Sequence, residues 1–437
     1  MVINKPRIGQ RLGSLVWRLL ARYGQLKSRY LLPFYDLFHI GPGHAKPRGT
    51  KQPSTTLRAA QALVRRLDRR ARHSAGEQLA DVIRRVEAAN GAVVFLPSIG
   101  WEIVNVQRVH HLAREFARRG FVSIFDSSNS YDDVSGFKEI ETNLFLFRGE
   151  DALLREIPDP ILWACTFNFD RRDSYPASTP TVYDWIDELS VFPYERRFLE
   201  TNHTRALREA NLVLSVARRL HEQAIALRPD ALYLPNGVDE THFAGASMSL
   251  PDDPDISSLL GDGKPVAGFY GALAEWVDYE LMEKVARLRP DWNFLLIGPA
   301  LDLSVHRRSR PLLRRPNVRW IGPRTYESLP AYLQLFDVAM VPFVINEITI
   351  ATSPLKLYEY FAGAKPVVST PLPECEAYEE VLIARNADEF SCALDAALGL
   401  GRDEQFQERL RRVARENSWP TRAAFVIERF KTMTRRS

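Results

Sequence analysis

The residue types best suited to chemistry cluster in one run, "SPLKLYEYFAGAKPVVST", from Ser353 to Thr370. Ser353 followed by Pro354 reads as a helix start, with Ser353 as N-cap and Pro354 at the first helical position. A capping box would place Glu or Gln at position 356, and the chain places Lys356 there instead. A helix N-terminus already carries partial positive charge, so a lysine in the first turn is unfavourable unless an anion sits beside it. The free N–H groups of that turn and the Lys356 ammonium together read as a site prepared for an anion. Glu359 lies three residues on, on the same helical face. Tyr358 and Phe361 read as core.

Other candidates are scattered. "TVYDWIDELSVF" holds Asp184 and Asp187 at the carboxyl end of an expected strand, although Asp is also a favoured N-cap. "GFYGAL" holds Gly268 and Gly271 after a strand, where a backbone can approach a ligand closely. Arg324 in "GPRTYESL" is a candidate phosphate contact, and Gly298 follows the strand "NFLLI". Asn236-Gly237 in "LPNGVDETHF" reads as a turn. In the loop after the first strand stand Trp101 and Glu102, with His110 and His111 on the next helix. Adjacent helical residues point about 100° apart, so at most one histidine faces a cleft. The chain has no P-loop, HExxH, GxSxG elbow or metal-ligand spacing, which argues against NTPases, zinc hydrolases and serine hydrolases.

The elements that must carry these residues follow a parallel α/β rhythm. From residue 91 onward, short apolar runs such as "AVVFLP", "FVSIFD", "ILWACTF" and "LVLSVA" alternate with amphipathic helices. The rhythm breaks at the Pro, Gly, Asp and Ser-rich "FAGASMSLPDDPDISSLLGDGKP" and restarts with "PVAGFYG", "NFLLIG", "NVRWIG" and "VAMVPF". The expected fold is therefore α/β, with two Rossmann-like domains facing across a cleft that collects ligands at the strands' carboxyl ends. The boundaries read as an extension over 1–90, a first domain over 91–245, a second over 262–415, and a closing helix over 416–437 that crosses back to the first. Length agrees, because 437 residues exceed one ordinary core.

Charge is divided unevenly. The first 75 residues hold sixteen Lys or Arg against two acids, a net +14, so the remainder carries −10 within an overall +4. "SLVWRLLARYGQLKSRYLLPFYDLF" reads as a basic amphipathic helix, and residues 1–72 are expected to meet an anionic membrane surface. The basic residues and aromatics form an arm rather than a platform, which argues against nucleic acid. Three separated cysteines fit a reducing compartment, and no run of about 18 uncharged apolar residues appears. A secretory signal is not expected, so the chain reads as cytoplasmic, peripheral on the inner face of the membrane.

"SPLKLYEYFAGAKPVVST", preceded by "FDVAMVPF" and by "YLPNGVDETHF", resembles the nucleotide-sugar-binding half of GT-B fold glycosyltransferases. Within these it is similar to bacterial cell-surface polysaccharide enzymes of the teichuronic-acid and xanthan glucuronosyltransferase type. The resemblance implies a nucleoside-diphosphate sugar as donor substrate and a saccharide acceptor, lipid-linked because such enzymes work at a membrane face. It assigns Ser353, Lys356, Glu359, Gly271 and Arg324 to the donor, with Lys356 on the diphosphate and Glu359 on the ribose hydroxyls. It assigns Asp187, with Asp184 second, as the base that deprotonates the acceptor hydroxyl. Trp101, Glu102, His110 and His111 fall on the acceptor side. No cofactor and no metal is expected, because no DxD stands at a suitable strand end. Two features depart from the wider pattern: Ala351 stands where many relatives carry a partner glutamate, and "GALAEWVDYE" lacks the usual Arg and Lys. Stereochemistry is therefore left open. The competing readings are a non-catalytic nucleotide-sugar or polysaccharide-binding subunit and a GT-B fold epimerase.

Overall fold

A computed structural model of the chain describes residues 76–434, except 97–98, 104–105, 129–131, 245–252, 254–255, 257–262 and 302. The basic front end, and with it the membrane contact expected of residues 1–72, lies outside the described residues.

The apolar runs become strands, and those at the centre of each sheet are buried on both faces. Eight form the first sheet: β1 (Ala92–Phe95), β2 (Val122–Asp126), β3 (Gly136–Glu141), β4 (Leu144–Arg148), β5 (Ile161–Ala164), β6 (Thr181–Trp185), β7 (Leu212–Ser215) and β8 (Leu232–Tyr233). Their order is β3-β4-β2-β1-β5-β6-β7-β8, parallel except for the β3–β4 pair at the edge. Strands β1, β2, β6 and β7 are buried at every residue, as expected where helices cover both sides of a parallel sheet. Six strands form the second sheet: β9 (Val266–Tyr270), β10 (Asn293–Ile297), β11 (Val318–Trp320), β12 (Val338–Val341), β13 (Val367–Ser369) and β14 (Val381–Ile383). They run entirely parallel in the order β11-β10-β9-β12-β13-β14. The two-Rossmann architecture expected from the sequence is the architecture observed.

Helices that matter below are α1 (76–88), α2 (Arg108–Arg118), α3 (Arg196–Glu209), α4 (Arg218–Leu227), α5 (Tyr279–Leu288), α6 (Leu355–Ala362), α7 (Ala387–Leu400), α8 (Glu404–Glu416) and α9 (Trp419–Thr434). Helix α1 belongs to the first domain rather than to the basic extension that was expected to end at residue 90. Leu79, Val82 and Val86 share a core with β1 and β2, since this apolar face has no other surface to cover. The last helix returns to the first domain. Trp419, Val426, Ile427 and Phe430 of α9 join the core built on Val93, Phe95 and Trp163, and α9 lies against α2.

Main-chain bonds stitch the crossing. Val238 N donates to Asn417 O at 3.1 Å, and Trp419 N donates to Val238 O at 3.0 Å. Gly237 therefore has a different purpose from the turn expected of Asn-Gly. Its φ is not left-handed, but an added Cβ would stand 2.8 Å from Asn417 O and 3.2 Å from the Trp419 ring. It is small because the C-terminal segment passes directly over it.

Candidate functional site

Helix α6 starts at Leu355, one residue later than expected, with Pro354 in the N-cap position and no side chain capping its amides. Ser353 does not cap. Its Oγ accepts from Asn236 N at 3.2 Å, and its carbonyl accepts from Asn236 Nδ2 at 2.7 Å. The serine is spent on the junction between domains, which leaves the first turn of α6 open. Leu355 itself packs against the first domain's core, so that turn faces the first domain.

Lys356 stands in this open turn. Its Nζ lies 5.6 Å from the centre of the Phe269 ring and 5.2 Å from that of Phe343. It forms no hydrogen bond or ion pair among the described residues. Burial lowers its pKa from the ordinary lysine value, opposed in part by the carboxylate of Glu359. The lysine stem is cradled by Gly271: a Cβ there would come within 2.7 Å of Lys356 Cε. Gly271 (φ +133°) and Gly298 (φ +142°) both adopt conformations reserved for glycine at the carboxyl ends of β9 and β10. A Cβ on Gly298 would strike Gly271 O at 1.9 Å. Two adjacent strand ends are thus bare backbone directly beside a half-buried ammonium.

Glu359 is buried, and its pKa is pushed up to about 7, first by burial, with Lys356 and the Tyr270 hydroxyl pulling the other way. The Tyr270 hydroxyl approaches this carboxylate yet has no partner meeting full hydrogen-bond geometry. Tyr326 completes the wall, its own pKa raised by burial and then by Glu359. Tyr270 and Tyr326 were not singled out from the sequence. Tyr270 immediately precedes Gly271, and that adjacency was the available signal.

Arg324 takes a different place from the one expected. Its Nε donates to Tyr332 Oη at 2.7 Å, its Nη1 to Ile321 O and Pro323 O, and its Nη2 to Asp253. Each of its three nitrogens is engaged, Nη2 on Asp253 of the interdomain segment, so it is not an open phosphate contact.

In the first domain the two aspartates part company. Asp184 is buried on β6, where Oδ2 accepts from Arg108 Nε at 2.9 Å and Trp163 Nε1 at 3.1 Å. Arg108 also reaches Pro235 O at 3.1 Å, which ties α2 to the end of β8. Asp184 is a structural counter-ion, and the expectation of a second base does not survive this pairing. Asp187 follows β6 in the loop; Trp185 Nε1 donates to its main-chain oxygen at 2.9 Å. Its carboxylate has no bonded partner among the described residues, and burial followed by repulsion from Glu188 pushes its pKa up to about 7.

The expected acceptor residues are largely committed to structure. His110 Nδ1 accepts from Gln107 N at 3.1 Å and Nε2 donates to Gly100 O at 2.9 Å, while burial drops its pKa to about 4. It is a neutral imidazole fastening the loop after β1 to α2, stacked on Phe125. His111 points to the domain junction, as only one of an adjacent pair can, and stacks on Trp419 at 4.9 Å with Tyr326 at 5.6 Å. The amides of Trp101 and Glu102 donate to Asp132 at 2.6 and 3.0 Å. The Trp101 ring packs on His110 and Phe125 beneath the Arg114 guanidinium, and the Glu102 side chain is exposed.

Residues 264–399, which contain β9 to β14 and all of α6, match the family described as "Glycosyl transferases group 1". The Bacillus subtilis protein TuaH, named for teichuronic acid biosynthesis as a glycosyltransferase, is 29% identical over 279 residues, covering 59% of this chain and 68% of that protein. Among solved structures, Anabaena HepE in complex with UDP-glucose is similar at a TM-score of 0.58 and 16% identity, over 78% of this chain and 99% of that one. Sucrose-phosphate synthase from Thermosynechococcus elongatus gives 0.59 and 15%, over 79% and 100%. These structures share the two-sheet fold described above. Residues 264–399 therefore carry a glycosyl transferases group 1 domain, in a chain that shares the GT-B fold with these structures.

Proposed function

We propose that this glycosyltransferase moves a sugar from a nucleoside-diphosphate sugar to a hydroxyl of a saccharide acceptor, lipid-linked, in cell-surface polysaccharide synthesis. The observation that carries the reading is Lys356: a cation without an ionic partner, in the uncapped first turn of α6, facing two glycine strand ends. An anion is what that arrangement lacks, and a diphosphate supplies two phosphates at the spacing of a helix turn and a bare loop. Glu359, behind Lys356, accepts hydrogen bonds from the ribose hydroxyls. Asp187 takes the proton of the acceptor hydroxyl as its oxygen bonds to the anomeric carbon. The bond from that carbon to the donor phosphate breaks, and the electron pair leaves with the nucleoside diphosphate. Charge growing on the leaving phosphate meets the Lys356 ammonium and the α6 dipole. A base with a pKa of about 7 is well matched to neutral pH.

Two measurements test this. A panel of nucleoside diphosphates and their sugars should raise the melting temperature of the full chain, because a ligand that binds only the folded state stabilises it. Lys356→Ala should abolish most of that response, and absence of a shift across the panel would overturn the donor assignment. Asp187→Asn should keep the shift and lose turnover, with the wild-type product inverted at the anomeric carbon. A retained product would remove Asp187 from the role of base. Transfer is expected to persist in EDTA, since the lysine and helix terminus occupy the place a divalent ion would otherwise take.

A further inference from the structure

The second domain carries a basic face that the donor site does not use. Residues 303–319 hold six arginines and His306 without one acidic residue, in a body that nets −10 beyond residue 75. The segment contains the helix Leu303–Leu313, whose Val305, Ser309 and Leu312 are fully buried against the domain. At 100° per residue, Leu303, Arg307 and Arg310 fall within about 60° of one another on the opposite side, and Arg314 follows in the turn just beyond. All four are exposed, Leu303 at 76%.

The neighbouring charges do not neutralise this face. Arg315 is paired with Glu283 of α5, and Glu280 of α5 is paired with Lys284. Arg308 turns aside to Glu275 O and the Tyr279 ring. Arg307, Arg310 and Arg314 form no ion pair or hydrogen bond among the described residues. The helix begins at the cleft end of the sheet. Leu301 N bonds Leu273 O in the loop that follows Gly271, so Leu303 lies toward the cleft rim and Arg314 away from it.

We propose that this face docks on an anionic phospholipid surface, with the guanidinium groups of Arg307, Arg310 and Arg314 on lipid phosphates and Leu303 in the acyl boundary. An exposed leucine in line with unpaired arginines is the pattern of an interfacial helix. A nucleic acid would want aromatic side chains to stack on, and the outward positions hold none. A protein partner would want more apolar area than one leucine offers. The contact holds the mouth of the cleft against the bilayer. It goes beyond the donor-site reading and does not depend on it.

The test uses the full chain with vesicles of phosphatidylglycerol mixed with phosphatidylcholine, against phosphatidylcholine alone. Each cation near such a surface contributes roughly a fivefold gain in partitioning, so the triple variant Arg307→Gln, Arg310→Gln, Arg314→Gln should bind anionic vesicles about 100-fold less. The matched variant Arg402→Gln, Arg409→Gln, Arg412→Gln, which removes equal charge from another exposed part of the domain, should bind nearly as the parent does. Leu303→Asn should weaken vesicle binding and leave heparin binding unchanged. Equal losses in the two triple variants, or no loss in the first, would overturn the proposal. So would an unchanged Leu303→Asn together with loss of heparin binding in the first triple variant, which would mark a site for soluble polyanions. The thermal response to nucleoside diphosphates should be intact in every variant, which shows that the fold and the donor site are unharmed.

Discussion

At the scale of the residue, the site consists of groups held in protonation states that cost the apo protein stability. Lys356 is the clearest. Its ammonium is desolvated without an ionic partner, so its pKa lies below that of a lysine in the unfolded chain. A cation with a lowered folded pKa destabilises the fold at pH values below that pKa, where it must stay charged. Lys356→Met should therefore raise the stability of the ligand-free protein by roughly 1 kcal/mol at pH 7 while weakening diphosphate binding by about 10- to 100-fold. Denaturant melts with and without nucleoside diphosphate check both halves. Asp187 behaves alike with the opposite charge. Its folded pKa of about 7 exceeds the unfolded value of 3.8, so the folded state binds the extra proton between those limits, and stability falls as pH rises through that window. Asp187→Asn removes this loss and should stabilise the protein by roughly 1–3 kcal/mol at pH 8, with almost no effect at pH 3.5. Turnover of the wild type should rise with pH through about 7 as the carboxylate ionises.

At the scale of the element, two strand ends and one helix end make the proposed donor side. The glycines there are conformational necessities. Gly298→Ala would need a left-handed φ and a backbone displacement from Gly271 O, and should cost roughly 2–4 kcal/mol or prevent soluble expression. Gly271→Ala pushes instead on a flexible lysine stem, so binding of nucleoside diphosphate should suffer more than stability. Calorimetric titration beside a melt separates the two. The oddity of Lys356 was legible in the sequence because a lysine in a first turn conflicts with the helix dipole, a local rule. The N-cap of that helix was not legible. Whether Ser353 turns to its own helix or to Asn236 is decided by a partner 117 residues away. Asp184 and Asp187 likewise sit three residues apart with equal promise in the sequence. Only the position of Arg108, on a helix 76 residues earlier, separates the counter-ion from the free carboxylate.

At the scale of the whole molecule, the two domains are tied by few but buried contacts. Glu374, in the short helix Pro373–Glu376, accepts from Arg218 N at the start of α4 and from Tyr233 Oη on β8, both at 2.5 Å. It caps a first-domain helix whose own N-cap, Ala217, has no side chain to do so. Glu374→Ala should cost roughly 1–3 kcal/mol in a chemical melt, because it leaves a part-buried amide and a part-buried hydroxyl unpaired. Arg422 of α9 adds a bond to Asn236 O at 3.3 Å, so three segments distant in the chain meet at the hinge. The sequence by itself determined the two α/β domains, the break between them and the presence of an unpaired lysine in a helix's first turn. These follow from periodicity, punctuation and charge within a few residues. The tertiary structure alone decided that Ser353 and Arg324 serve the junction, that His110 is a fastener, that Asp187 rather than Asp184 is unpaired, and that Tyr270 and Tyr326 wall in Glu359. The reason is that burial and hydrogen-bond partnership are set by neighbours across the fold, and a side chain's chemistry depends on which of its atoms those neighbours have already satisfied.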